Sequence, residues 1–197
     1  MSDAAKMNAV ADFKLLPFLA ADLRRAQVVM HGTADGVFRL WLGVLSPRFL
    51  PVLLCRLAHW FYCLNLEPVA KLVSLLNFFL FGVEVAVRCP IGKGLFLPHT
   101  QGTVIGAWCI GENATIFQGV TLGARELDFS YQESSRPTVG DGVTIGSGAK
   151  VLGGVILGSG SRIGANAVVL SDVGPGLVAV GIPAKTVDKK PDDNAAQ

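Results

Sequence analysis

Histidine is the side chain whose ordinary pKa suits it to move a proton near neutral pH, so its positions are the first guide to chemistry. The sequence holds three histidines, and His99 is the only one after residue 60. It sits in the segment LFLPHTQGTVIG, between Leu97 and Val104. An exposed imidazole there could deprotonate a hydroxyl, although a lone histidine is more often structural or a plain surface residue. A three-histidine metal site cannot be built from one histidine, and Cys55, Cys63, Cys89 and Cys109 lack metal-ligand spacing, so no metal is expected. The 17 basic and 15 acidic residues leave a net charge of only +2, which offers no polycationic surface, and nucleic acid is not an expected partner.

The frame around His99 is periodic. Aliphatic residues stand at Val85, Ile91 and Leu97, at Val104, Ile110, Ile116 and Leu122, and at Val139, Ile145, Val151, Leu157, Ile163 and Val169. Nearly every step is six residues, which neither a helix nor an alternating strand produces. If each hexad is one short strand followed by a corner, three hexads close a triangular coil with the aliphatic residue inward, and thirteen hexads make a little over four coils. The step from 97 to 104 is one residue too long, and His99 lies inside it. The step from 122 to 139 is far too long for a strand, so residues 123–138 must project as a loop.

Glycine marks the same division, since 20 of the 23 glycines fall between Gly82 and Gly181. Residues 1–83 are expected to be an α-helical region, residues 84–188 the solenoid, and residues 189–197 a flexible tail. The first region is apolar and punctuated by Pro47, Pro51 and Pro68, and its longest uncharged stretch, Leu72 to Val83, is too short to span a membrane. Arg56, His59 and Cys63 form one narrow polar stripe, and Lys71, Ser74 and Asn77 another. The broad apolar faces are expected to pack on each other, on the solenoid and on neighbouring subunits, with peripheral membrane contact as the alternative. The start MSDAAKMNAVADFK lacks a signal-peptide layout, which points to a cytoplasmic protein with reduced thiols. With 51% hydrophobic and 16% charged residues the chain must fold and bury an unusual apolar share.

The segments FGVEV, LFLPHTQGTVIG, IFQGVTLGA, IGSGAKVLGG, IGANAVVL and VGIPAK, in this order, resemble the left-handed parallel β-helix acyltransferases, most of all the serine acetyltransferase branch. The resemblance implies a left-handed parallel β-helix, acetyl-CoA as cosubstrate, and homotrimers with active sites between adjacent solenoids, paired into hexamers in some members. It assigns His99 as the general base and Glu84 as the carboxylate that orients it. It places the coenzyme along Gly123, Ala124, Ser147, Gly148 and Ala165, with Lys150, Arg162 and Lys185 as candidates for its phosphates. Two departures concern the acceptor. Enzymes that use free serine carry an aspartate just before the histidine and an Arg-His pair before the proline that re-enters the repeat; here Pro98, Ser135 and Arg136 stand there. Pro98 cannot hold an ammonium group, whereas Arg136 could still meet a carboxylate and is kept as a substrate-binding candidate. The expectation is therefore an O-acetyltransferase acting on a sugar hydroxyl, as in exopolysaccharide assembly. The alternatives are a serine O-acetyltransferase and a non-catalytic scaffold.

Overall fold

The computed structural model describes residues 13–32, 46–128 and 130–187. The tail expected at 189–197 lies outside them. Three helices come first: α1 (Leu15–His31), α2 (Leu50–Cys63) and α3 (Glu67–Phe81). Pro51 and Pro68 occupy the first turns of α2 and α3, where a missing N–H costs nothing. Gly82 ends α3 with φ at 65° and its N–H on the Phe78 carbonyl. That φ is in the left-handed region, which favours glycine.

Short strands follow: β1 (Val83–Val85), β2 (Thr103–Ile105), β3 (Cys109–Ile110), β4 (Thr115–Ile116), β5 (Thr121–Gly123), β6 (Thr138–Val139), β7 (Thr144–Ile145), β8 (Lys150–Leu152), β9 (Ile156–Leu157), β10 (Arg162–Ile163), β11 (Val168–Val169), β12 (Val178–Val180) and β13 (Lys185–Val187). They form three faces. The first is β1-β2-β5-β8-β11, the second β3-β6-β9, and the third β4-β7-β10-β12-β13. All pairings are parallel except β12 with β13, which closes the end of the stack as an antiparallel hairpin. The chain visits the faces in rotation, as a left-handed parallel β-helix.

The inward aliphatic residues stack into one core, with Leu97, Ile116, Leu122, Ile145, Val151 and Leu157 fully buried. Burying each such side chain stabilises the fold by about 1.5–3 kcal/mol. Val104 is a correction to the periodic reading. It is half-buried and faces outward, while Thr103 and Ile105 point in at 1% and 0% exposure. Strand alternation forces this choice, because the turn before β2 takes up one further residue and the next corner gives it back. The core also runs past Val169, through Val173 and Ala179.

The helices settle a point that spacing alone leaves open. Their polar stripes face inward: Arg56, His59 and Asn77 are buried, and only Cys63 and Lys71 of the six are exposed. The outward side of α3 is apolar, with Leu72, Phe79 and Leu80 at 66%, 73% and 60% exposure. Buried polar groups need partners, and these find them across elements. His59 Nδ1 lies 2.8 Å from the Val87 carbonyl, Ser74 Oγ donates to the Val85 carbonyl, and Asn77 Nδ2 donates to the Pro51 carbonyl. Among the described residues no helix is long and apolar enough to cross a membrane.

Candidate active site

His99 is carried by the turn that joins the third face to the first in the opening coil, between the Phe96–Thr115 bridge and β2. The turn is anchored while the ring is left outside. Thr100 Oγ1 donates to the Phe81 carbonyl at 2.7 Å, Gly102 N–H donates to the Gly82 carbonyl at 2.9 Å, and Leu97 is fully buried. His99 itself is exposed. Glu84 points outward from the neighbouring strand, in register with Val104. Among the described residues no hydrogen bond joins it to His99, so the single chain brings the two onto one side of the opening coils without pairing them.

The same corner recurs in each coil below. Gly119 N–H donates to the Gln101 carbonyl, Gly148 N–H to the Gln118 carbonyl, and Asn166 N–H to the Ser147 carbonyl, at 3.0, 2.8 and 2.8 Å. Ser147, Gly148 and Ala165 therefore stand in one column with His99 at its head. Gly148 has φ at 71°, in the left-handed region that favours glycine. Lys150 Nζ reaches this column and donates to the Gly119 carbonyl. Gly123 and Ala124 lie elsewhere, at the opposite edge of the first face where the loop departs. Arg162 and Lys185 are on the third face, Arg162 beside Thr144 and Val178, and Lys185 opposite Val180.

The projecting loop is folded around Asp128, whose carboxylate accepts N–H groups of Ser130, Tyr131 and Gln132 and the Nε of Arg136. Burial pushes the Asp128 carboxyl up, but the donors from Ser130, Gln132 and Arg136 outweigh it and hold the group below the ordinary carboxylate range. Arg136 also donates to the carbonyls of Gly106 and Asp128, and its guanidinium lies 4.1 Å from the centre of the Tyr131 ring. The Tyr131 hydroxyl donates to the Ala107 carbonyl at 2.6 Å. The Arg136 charge is thus matched within the loop, at the far end of β2 from His99. Sequence alone presents Arg136 as a free cation and gives Asp128 no role; an acidic residue two before a serine is an Asx-turn signal that could have found it. No group of three or more potential metal ligands occurs among the described residues.

An exposed imidazole thus stands at the head of a column of corners on a six-residue solenoid. The bacterial transferase hexapeptide (six repeats) family matches residues 136–171. A serine acetyltransferase of Helicobacter pylori strain J99 is 43% identical over 151 residues, spanning 76% of this chain and 86% of that protein. Soybean serine acetyltransferase complexed with serine superposes with a TM-score of 0.76 at 32% identity, covering 92% of this chain and 73% of that one. A serine acetyltransferase in complex with CoA gives 0.74 at 28% identity, covering 92% and 73%. The chain belongs to the serine acetyltransferase family and is an acyltransferase. These relatives correct the expectation of an exopolysaccharide enzyme: the departures at Pro98 and Ser135 sit within a chain that otherwise follows the serine enzymes along most of its length.

Proposed function

We propose that this protein transfers the acetyl group of acetyl-CoA to the hydroxyl of serine, with His99 as general base. The observation that carries the reading is the exposed His99 at the head of the corner column, in a chain 43% identical to a serine acetyltransferase. His99 takes the hydroxyl proton as the serine oxygen attacks the thioester carbonyl, and a tetrahedral oxyanion forms. Collapse breaks the C–S bond and leaves O-acetylserine. The proton on His99 passes to the departing thiolate, so base and acid are the same group. Glu84, on the same side of the opening coils, is the carboxylate available to orient the ring when the site is filled.

Acetyl-CoA lies along the column past Ser147, Gly148 and Ala165, where small side chains let the pantetheine arm approach the backbone. Lys150, Arg162 and Lys185 supply positive charge for its phosphates. Gly123 and Ala124 are on the other edge of the first face, and they join this groove across a trimer, from the neighbouring protomer. Arg136 shapes the acceptor loop through Asp128 rather than meeting the substrate as a free cation.

Thiol release from acetyl-CoA tests this with wild type and His99→Ala, offering serine and then a panel of sugars. Serine-dependent release that needs His99 is the expected result. Release with sugars alone would return the acceptor to a glycan hydroxyl, and no release with any acceptor would leave a scaffold.

A further inference from the structure

Asp22 of α1 and Arg56 of α2 form an ion pair with side-chain exposures of 0% and 3%. Arg56 Nε and Nη2 donate to Asp22 Oδ2 and Oδ1 at 2.8 and 3.0 Å. Both groups also reach the solenoid. Asp22 Oδ1 accepts the N–H of Gly94 at 2.7 Å and of Leu95 at 2.9 Å. Arg56 donates to the Ile91 carbonyl and, at 2.6 Å, to the Gly92 carbonyl. Two helices thus hold four backbone groups between Ile91 and Leu95, the stretch that runs through Leu97 and Pro98 to His99. The other side of the same turn is tied to the end of α3 through Thr100 and Gly102. A well-packed apolar pair often stabilises a fold as much as a buried ion pair does. What the charged pair supplies in addition is direction, because its donors and acceptors fix those backbone groups in place.

We propose that Asp22 and Arg56 are positioning residues for His99, acting through the backbone of residues 91–95. The proposal rests on His99 being the base. Its test uses the full chain carrying Asp22→Leu with Arg56→Met, which removes both charges while keeping the space filled. Asp22→Asn with Arg56→Met is the conservative control, because its amide oxygen can still accept the Gly94 and Leu95 N–H groups and no buried guanidinium is left unpaired, and it should retain most of the rate. The Asp22→Leu, Arg56→Met variant should lose tenfold or more in kcat, with KM for acetyl-CoA within twofold of wild type. Introduced into His99→Ala, the same double substitution should cause no further loss, since it acts only through that ring. Equal losses in both backgrounds, or a lowered melting temperature with unchanged kcat, would overturn the proposal. Amide hydrogen exchange needs no acceptor and so separates this inference from the serine reading. If wild type proves inactive with serine, faster exchange confined to residues 91–102 in the Asp22→Leu, Arg56→Met variant still supports the role, and unchanged exchange there overturns it.

Discussion

The solenoid and the helical region place their polar and apolar groups in opposite ways. The solenoid is aliphatic inside, with Ile116, Leu122, Ile145 and Leu157 fully buried, and carries His99 and Glu84 on its outside. The helices enclose Asp22, Arg56, His59 and Asn77 and turn Leu72, Phe79 and Leu80 outward. Stacked coils touch only their neighbours, so one aliphatic residue can replace another at modest cost. The helical inner face is less tolerant, because Asp22, Arg56, His59 and Asn77 bond to particular backbone and side-chain partners. On the proposed mechanism the repetitive region presents the general base, and the helical region holds the backbone that leads to it.

This division has measurable consequences, the largest at the reacting group itself. His99→Ala should lower turnover by about 10²–10⁴-fold, the usual contribution of a general base, and leave the melting temperature unchanged because the ring is exposed. Thiol-release rates on folded protein check this, and wild-type turnover would move the base elsewhere. Asp22→Ala strands a buried guanidinium and should cost about 3–5 kcal/mol. Ile145→Val in the solenoid core should cost only about 0.5–1.5 kcal/mol. Denaturant unfolding of both variants measures the gap, and equal costs would erase the distinction between the regions. Glu84→Gln should slow turnover about tenfold, the worth of one charge-assisted hydrogen bond, without thermal destabilisation. Lower stability at unchanged kcat would make Glu84 a structural residue.

The smallest effect concerns pH. Burial, reinforced by the Arg56 charge, pushes the His59 ring below its ordinary pKa, against the pull of the Val87 carbonyl. The fold therefore prefers the neutral ring. Its contribution is complete above the unfolded value of 6.5 and declines as pH falls below it. Melting temperatures between about pH 7 and pH 5 should drop in wild type and flatten in His59→Asn, whose amide can keep the bond to Val87. Parallel curves would assign the acid sensitivity to other groups.

The solenoid was visible in the sequence because every coil needs the same inward residue, and a six-residue spacing suits neither the turn of a helix nor the alternation of a long strand. The exception is instructive. Val104 and Ile105 are both aliphatic, both near the right place, and only alternation with the buried Thr103 decides between them. That ambiguity sits beside His99 because the turn carrying it departs from the repeat. The helical stripes showed that Arg56 and His59 share a side, but helical spacing does not say which side meets the core. Arg56 finds Asp22 at a separation of 34 residues, beyond the reach of any local pattern. Arg136 and Asp128 are only eight apart, yet they belong to a loop without periodicity, and the Asx-turn signal at Asp128 marks the turn without naming Arg136 as its partner.

The column of corners has one more consequence. From the Gln101 turn to the Asn166 turn there are three steps, each one strand spacing, or about 14 Å in all. A ligand lying along this edge is measured in whole coils. The edge is graduated once per turn of the chain, and removing a full coil would shorten it by about 4.8 Å.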